Sequence, residues 1–91
     1  ILNKLINILS DDIIEHAIYN LISESYYTVD ELLLSLIQNN KCDHIFNKII
    51  KNDVQQNPIF LKKFIKKILK YNDSIEMDEY VFSNVLFTFN E

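Results

Sequence analysis

The sequence predicts an all-α chain of about six short helices, paired as antiparallel hairpins. Three observations carry this reading. Apolar residues return every three to four positions in one stretch after another, the period of a helix with one buried face. The polar breaks between these stretches are short, and residues suited to cap a helix, Ser10, Thr28 and Asn57, stand where the next helix starts. The stretch richest in strand-forming residues, Tyr80 to Phe89, lacks the strict apolar and polar alternation that a half-buried strand requires.

Residues 1 to 9 place Ile1, Leu2, Leu5, Ile6 and Leu9 on one side of a first helix, with Asn3, Lys4 and Asn7 outside. Ser10 supplies a cap for a second helix ending near Ser23, and Asp11 and Asp12 sit in its first turn, where the helix dipole favours negative charge. Its expected core residues are Ile14, Ala17, Ile18, Leu21 and Ile22. Thr28 and Glu31 have the spacing of a capping box and open a third helix to about Gln38, built on Leu32, Leu33, Leu36 and Ile37. After a polar break at residues 39 to 42, Ile45, Phe46, Ile49 and Ile50 mark a fourth helix.

The fifth stretch, residues 57 to 71, is the clearest. At about 100° per residue, Leu61, Phe64, Ile65, Ile68 and Leu69 gather on one side, and Lys62, Lys63, Lys66, Lys67 and Lys70 on the other. Asn57 suits the cap, and Pro58 suits the first helical position, where its missing amide hydrogen costs nothing. Asn72, Asp73 and Ser74 then turn the chain, and Ile75 to Glu91 reads as a sixth helix with Val81, Phe82, Val85, Leu86 and Phe89 inward. Its β-branched and aromatic content makes a strand at Tyr80 to Phe89 the competing reading, which the absence of alternation disfavours. The hairpins then span residues 1–26, 28–55 and 57–91.

Ninety-one residues suit a single helical segment, residues 1–91. The first residue is Ile and the sixth predicted helix is still running at Glu91, so the segment is expected to be cut from a longer chain. No apolar run approaches the roughly 18 residues of a membrane span. The sequence contains no Gly, which removes the backbone positions that phosphate-cradling and dinucleotide loops require. Cys42 is the sole cysteine, so no disulfide forms within the chain and a reducing, cytoplasmic setting is expected.

Charge is sorted along the chain. Residues 1–40 hold one Lys against six acids, residues 41–71 eight Lys against two, and residues 72–91 no base against five. The regional nets are −5, +6 and −5, which give the overall −4. A basic middle between acidic ends permits three readings: solvated faces that partly neutralise one another, which is the default for exposed charge, a docking surface for an acidic partner, or nucleic acid contact. Nucleic acid is disfavoured, because every basic residue is Lys and the net charge is negative.

Catalytic and metal chemistry find little support. Cys42 and His44, with His16 elsewhere, fall short of the three or four spaced ligands of a tetrahedral zinc site and have no oxyanion loop beside them. The pairs Asp11/Asp12, Asp30/Glu31 and Asp78/Glu79 sit near predicted helix starts and read as dipole partners. No residue is therefore assigned a catalytic, cofactor or metal role. Tyr26 and Tyr27 are further candidates for partner contact.

Lys70-Tyr71 and the run Val81-Phe82-Ser83-Asn84-Val85-Leu86-Phe87-Thr88-Phe89-Asn90-Glu91 resemble the helical-repeat segment of the calcium-binding protein 39 family. Ser83, Thr88 and Phe89 match it, Val81, Asn84, Leu86 and Glu91 are near matches, and Phe82 and Phe87 stand where that family has alanine. The resemblance implies an armadillo/HEAT-like scaffold that binds a kinase or pseudokinase through a concave helical surface.

The sequence thus predicts a non-enzymatic interaction or scaffold segment, an armadillo/HEAT-like stack of hairpins that presents Lys62, Lys63, Lys66, Lys67 and Lys70 to an acidic protein. Two alternatives are a compact six-helix adaptor that self-associates, and a nucleic-acid or anionic-membrane binder using the same lysines.

Overall fold

In the computed structural model, which describes residues 2–24, 28–53 and 58–89, the described residues form six helices and no strand. These are α1 (Leu2–Ile8), α2 (Asp11–Ser23), α3 (Thr28–Gln38), α4 (Cys42–Asp53), α5 (Pro58–Tyr71) and α6 (Glu79–Phe89). The all-helical class is as the apolar period predicts. None of these helices is long and apolar enough to cross a membrane.

Local chemistry sets most of the boundaries. Ser10 caps α2, its hydroxyl accepting from the Ile13 amide at 3.4 Å. Pro58 opens α5 at the position where proline is best tolerated. Asn57, the expected cap, lies outside the described residues. Thr28, the expected cap, is the first described residue of α3. Between α3 and α4 the chain reverses through Asn40, whose φ of 58° is left-handed. The Asn40 amide donates to the Ile37 carbonyl at 3.2 Å and the Lys41 amide to that of Leu36 at 2.9 Å. This paired closure is the Schellman motif, with asparagine in the place glycine usually takes.

The sixth helix begins at Glu79, four residues later than the sequence predicts. The reason is tertiary. Asn47 Nδ2 on α4 donates to the Glu76 carbonyl at 2.8 Å, and Asp43 Oδ2 accepts from the Glu76 amide at 3.4 Å. With both backbone groups of Glu76 bonded to α4, residues 75–78 lie against that helix, and Ile75 and Met77 pack onto the core. Asp78 then caps α6, its Oδ1 accepting from the Val81 amide at 2.8 Å, while Oδ2 pairs with Lys51 Nζ at 2.6 Å.

One apolar cluster joins the helices. It includes Ile6 from α1, Ile14, Ile18 and Ile22 from α2, Val29, Leu32, Leu33 and Leu36 from α3, and Cys42, Ile45, Phe46, Ile49 and Ile50 from α4. Phe60, Leu61, Phe64, Ile65 and Ile68 enter from α5, and Val81 and Val85 from α6. Phe64 lies at its centre, with ring centroids 5.5 Å from Phe46 and 5.8 Å from Phe60, and Phe60 lies 5.0 Å from Tyr19. Most of the expected core residues are therefore buried. Leu5, Leu69, Phe82, Leu86 and Phe89 are exceptions and reach the surface.

Helices α3 and α4 pack together, as do α5 and α6, while α1 makes its main contacts with α3. A polar network fixes α1 there. The buried Ser35 hydroxyl donates to Asn3 Oδ1 at 2.6 Å, Asn39 Nδ2 donates to the same oxygen at 3.2 Å, and Asn7 Nδ2 donates to Asn39 Oδ1 at 2.9 Å. Lys41 Nζ donates to the Ile6 carbonyl at 2.7 Å, placing a cation at the carbonyl end of α1. Helix α2 touches α3, α4 and α5, so the second helix reaches the fifth directly.

Candidate functional site

The eight lysines of residues 41–71 divide into two sets once the chain is folded. Four are committed to the fold. Besides Lys41, Lys48 Nζ lies 2.9 Å from Asp12 Oδ1 and 3.5 Å from Glu15 Oε1, tying α4 to α2. The hydrogen bond to Asp12 holds the Lys48 ammonium above its ordinary pKa. Lys51 pairs with Asp78, and that bond, with the Val81 amide, holds the Asp78 carboxyl below the usual carboxylate range. Lys67 on α5 donates to Asp30 Oδ1 in the first turn of α3 at 2.8 Å. That bond is the main cause of a lowered Asp30 pKa, which partial burial opposes and the Tyr71 hydroxyl assists. The same Asp30 contact raises the Tyr71 phenol.

The other four, Lys62, Lys63, Lys66 and Lys70, have no ion-pair partner among the described residues. Lys63, Lys66 and Lys70 are exposed and Lys62 is half-buried. On the wheel of α5 these four fall within about 100° of one another, opposite Leu61, Ile65 and Ile68, which are anchored in the core. Lys70 Nζ lies 5.5 Å from the Tyr71 ring centroid, within cation–π range, which leaves its charge in place. Helix α5 therefore carries a ridge of four like charges with no ion pair among the described residues, of which Lys70 feels the Asp30 carboxylate at longer range. Lys67 stands on the α3 side of that ridge, engaged with Asp30.

Sequence reasoning groups all five lysines because it sees only the wheel. The pairing of Lys67 with Asp30 joins residues 37 positions apart, and no local spacing announces it. Tyr26 and Tyr27 lie outside the described residues.

Cys42 and His44 are not brought together as a reactive pair. Cys42 is buried, with Asn72 Nδ2 at 3.9 Å from its sulfur, and burial pushes the thiol pKa up, away from the thiolate that nucleophilic chemistry needs. His44 is exposed, with Nε2 at 2.7 Å from Asp11 Oδ2. His16 is exposed on α2. Among the described residues no three His, Cys, Asp or Glu side chains are grouped so as to hold a metal ion. The acidic pairs serve helix starts: Asp11 and Asp12 occupy the first turn of α2, Asp30 and Glu31 that of α3, and Asp78 caps α6.

A second surface was not legible in the sequence. The outward side of α6 carries Tyr80, Phe82, Leu86, Phe87 and Phe89, all exposed. The sequence does signal an excess of apolar residues there, because α6 is apolar nearly all round and has one charged residue, Glu79.

No protein-family model, no curated protein and no solved structure matches this chain.

Proposed function

We propose that this chain is a protein-interaction module that docks an acidic segment of another protein on Lys62, Lys63, Lys66 and Lys70. The observation that carries the reading is the division of the lysines: each of the other four between residues 41 and 71 has a carboxylate or carbonyl partner, whereas these four have none among the described residues. Like charges held together on one helix face repel by a few tenths of a kcal/mol per pair, about 0.2–0.5. A partner carboxylate relieves that repulsion. Such a ridge chiefly raises encounter rate and selects against basic partners.

The compact six-helix arrangement is the architecture we favour for this module. What supports it is the contact of α2 with α5, which the sequence places in the first and third hairpins, and the packing of α1 mainly on α3. In a stack of repeats each unit touches only its neighbours.

The test uses fluorescently labelled peptides rich in Asp and Glu with Leu and Phe anchors, titrated with the 91-residue chain and with a Lys62→Gln, Lys63→Gln, Lys66→Gln, Lys70→Gln variant of equal helicity. Binding that weakens with salt and is lost in the variant supports the proposal. Equal binding by both proteins rejects it, and preference for a duplex or single-stranded oligonucleotide over the peptides would move the ridge to nucleic acid.

A further inference from the structure

The outer face of α6 carries an inference separate from the lysine ridge. Val81, Val85 and Thr88 are its buried residues, and the Thr88 hydroxyl is satisfied by donating to the Asn84 carbonyl at 2.8 Å. Phe82, Leu86 and Phe89, spaced i, i+4 and i+7, form a stripe beside this buried side, with 53%, 47% and 41% of their surface exposed. Phe87 and Tyr80 follow on the far flank at 64% and 54%. With about 150–250 Å² per aromatic side chain, these fractions leave about 500 Å² of largely apolar surface on one helix. That is the size of the largest apolar patch on a typical folded monomer, which is often a functional surface. A helix that is apolar nearly all round is normally covered on more than one side.

We propose that this face is an interface between two copies of the chain, with α6 against α6 about a two-fold axis. Three observations point to a second copy. The first is area: the five exposed side chains offer at most about 500 Å² on each copy, or about 1,000 Å² in all, which only reaches the lower limit of a specific interface, so the dimer is weak and depends on concentration. The second is composition. Glu79, at the helix start, is the single charged residue of α6, so a pairing centred on the Phe82, Leu86 and Phe89 stripe sets no charge against itself. The third is charge complementarity. Each chain carries exposed Asp73, Glu76 and Glu79, which have no ion pair among the described residues, and the exposed lysines of the adjacent α5, so two-fold pairing can set opposite charges at the rim.

Sedimentation of the 91-residue chain from low micromolar to near-millimolar concentration tests this. The expected result is a shift from the 10.8 kDa monomer towards twice that mass, with no larger species. The double variant Phe82→Lys, Leu86→Lys changes exposed positions only. It is expected to keep its helicity by circular dichroism and to raise the dimer dissociation constant at least about tenfold, the loss of one buried anchor. Ile8→Lys, at an exposed apolar position on α1, serves as the control and is expected to dimerise as the parent does. A chain that stays monomeric throughout, a Phe82→Lys, Leu86→Lys variant that still dimerises, an Ile8→Lys variant that loses dimerisation equally, or open-ended aggregates would each overturn the proposal. A monomeric chain that still binds acidic peptide through α5 would overturn the dimer and leave the lysine reading standing.

Discussion

Phe64 offers the sharpest test of the packing account, because Phe82 supplies the same side chain in the opposite setting. Phe64 is fully buried and stacks between Phe46 and Phe60, with centroids 5.5 and 5.8 Å away. Truncation to alanine removes a ring from a closed core and leaves a cavity, at about 3–5 kcal/mol. The two lost aromatic contacts, about 0.5–1.5 kcal/mol each, place the expected cost in the upper part of that range. A 91-residue domain has about 5–14 kcal/mol of stability in total, so Phe64→Ala removes a large share of it. At about 4–8 °C per kcal/mol, the midpoint falls by at least about 12 °C. Phe82 is 53% exposed, and Phe82→Ala is expected to cost under about 1 kcal/mol. The assay is thermal and urea unfolding followed by far-ultraviolet circular dichroism, at low micromolar concentration where self-association does not contribute. Equal costs for the two variants, or a Phe64→Ala midpoint within a few degrees of the parent, would refute the placement of these helices.

Other outcomes follow from the same contacts. Lys67→Gln is expected to destabilise by about 0.2–1 kcal/mol through loss of the Asp30 pair, whereas Lys66→Gln, which breaks no pair, is neutral or slightly stabilising in the same unfolding assay. Asp30 and Asp78 have lowered folded pKa values, so their contribution is present above the ordinary carboxylate value of about 4 and is lost as pH falls through the lower folded values. Acid titration of the Asp30→Asn, Asp78→Asn variant should accordingly show a shallower loss of stability below about pH 4 than the parent. At Asn40 the left-handed φ makes Asn40→Gly neutral or stabilising and Asn40→Val costly by about 1–2 kcal/mol, as urea midpoints would show. The buried Cys42 thiol should react slowly with a thiol reagent in buffer and at once in denaturant; fast reaction in buffer would contradict its placement.

Legibility in the sequence tracked how local each determinant is. The apolar rows of α2, α3 and α4 and most of that of α5 could be read directly, since Ile14, Ile18 and Ile22, or Phe64, Ile65 and Ile68, lie within one helix and need only its period. The cap at Ser10 and the helix start at Pro58 were legible for the same reason. The start of α6 was not, because residues 75–78 are held by Asp43 and Asn47, about 30 positions earlier in the chain. The inward side of α6 was misassigned in part. Val81 and Val85 are buried as expected, but a helix with apolar residues on every side gives the wheel no single direction, and the chain buries Thr88 in place of Phe82, Leu86 and Phe89. The candidate site was legible as a lysine face and illegible as a divided one. Which lysines are spent on Asp12, Asp30 and Asp78 depends on helices meeting across the fold.

The most direct test of the central claim is a nuclear magnetic resonance titration of the isotope-labelled 91-residue chain with an acidic peptide that binds it, read residue by residue. If Lys62, Lys63, Lys66 and Lys70 form the docking ridge, shift changes concentrate on their amides and side-chain ammonium groups, while Lys41, Lys48, Lys51 and Lys67 keep their bonds and move little. Changes centred on the second set, or spread evenly over all lysines, would contradict the division on which this account rests.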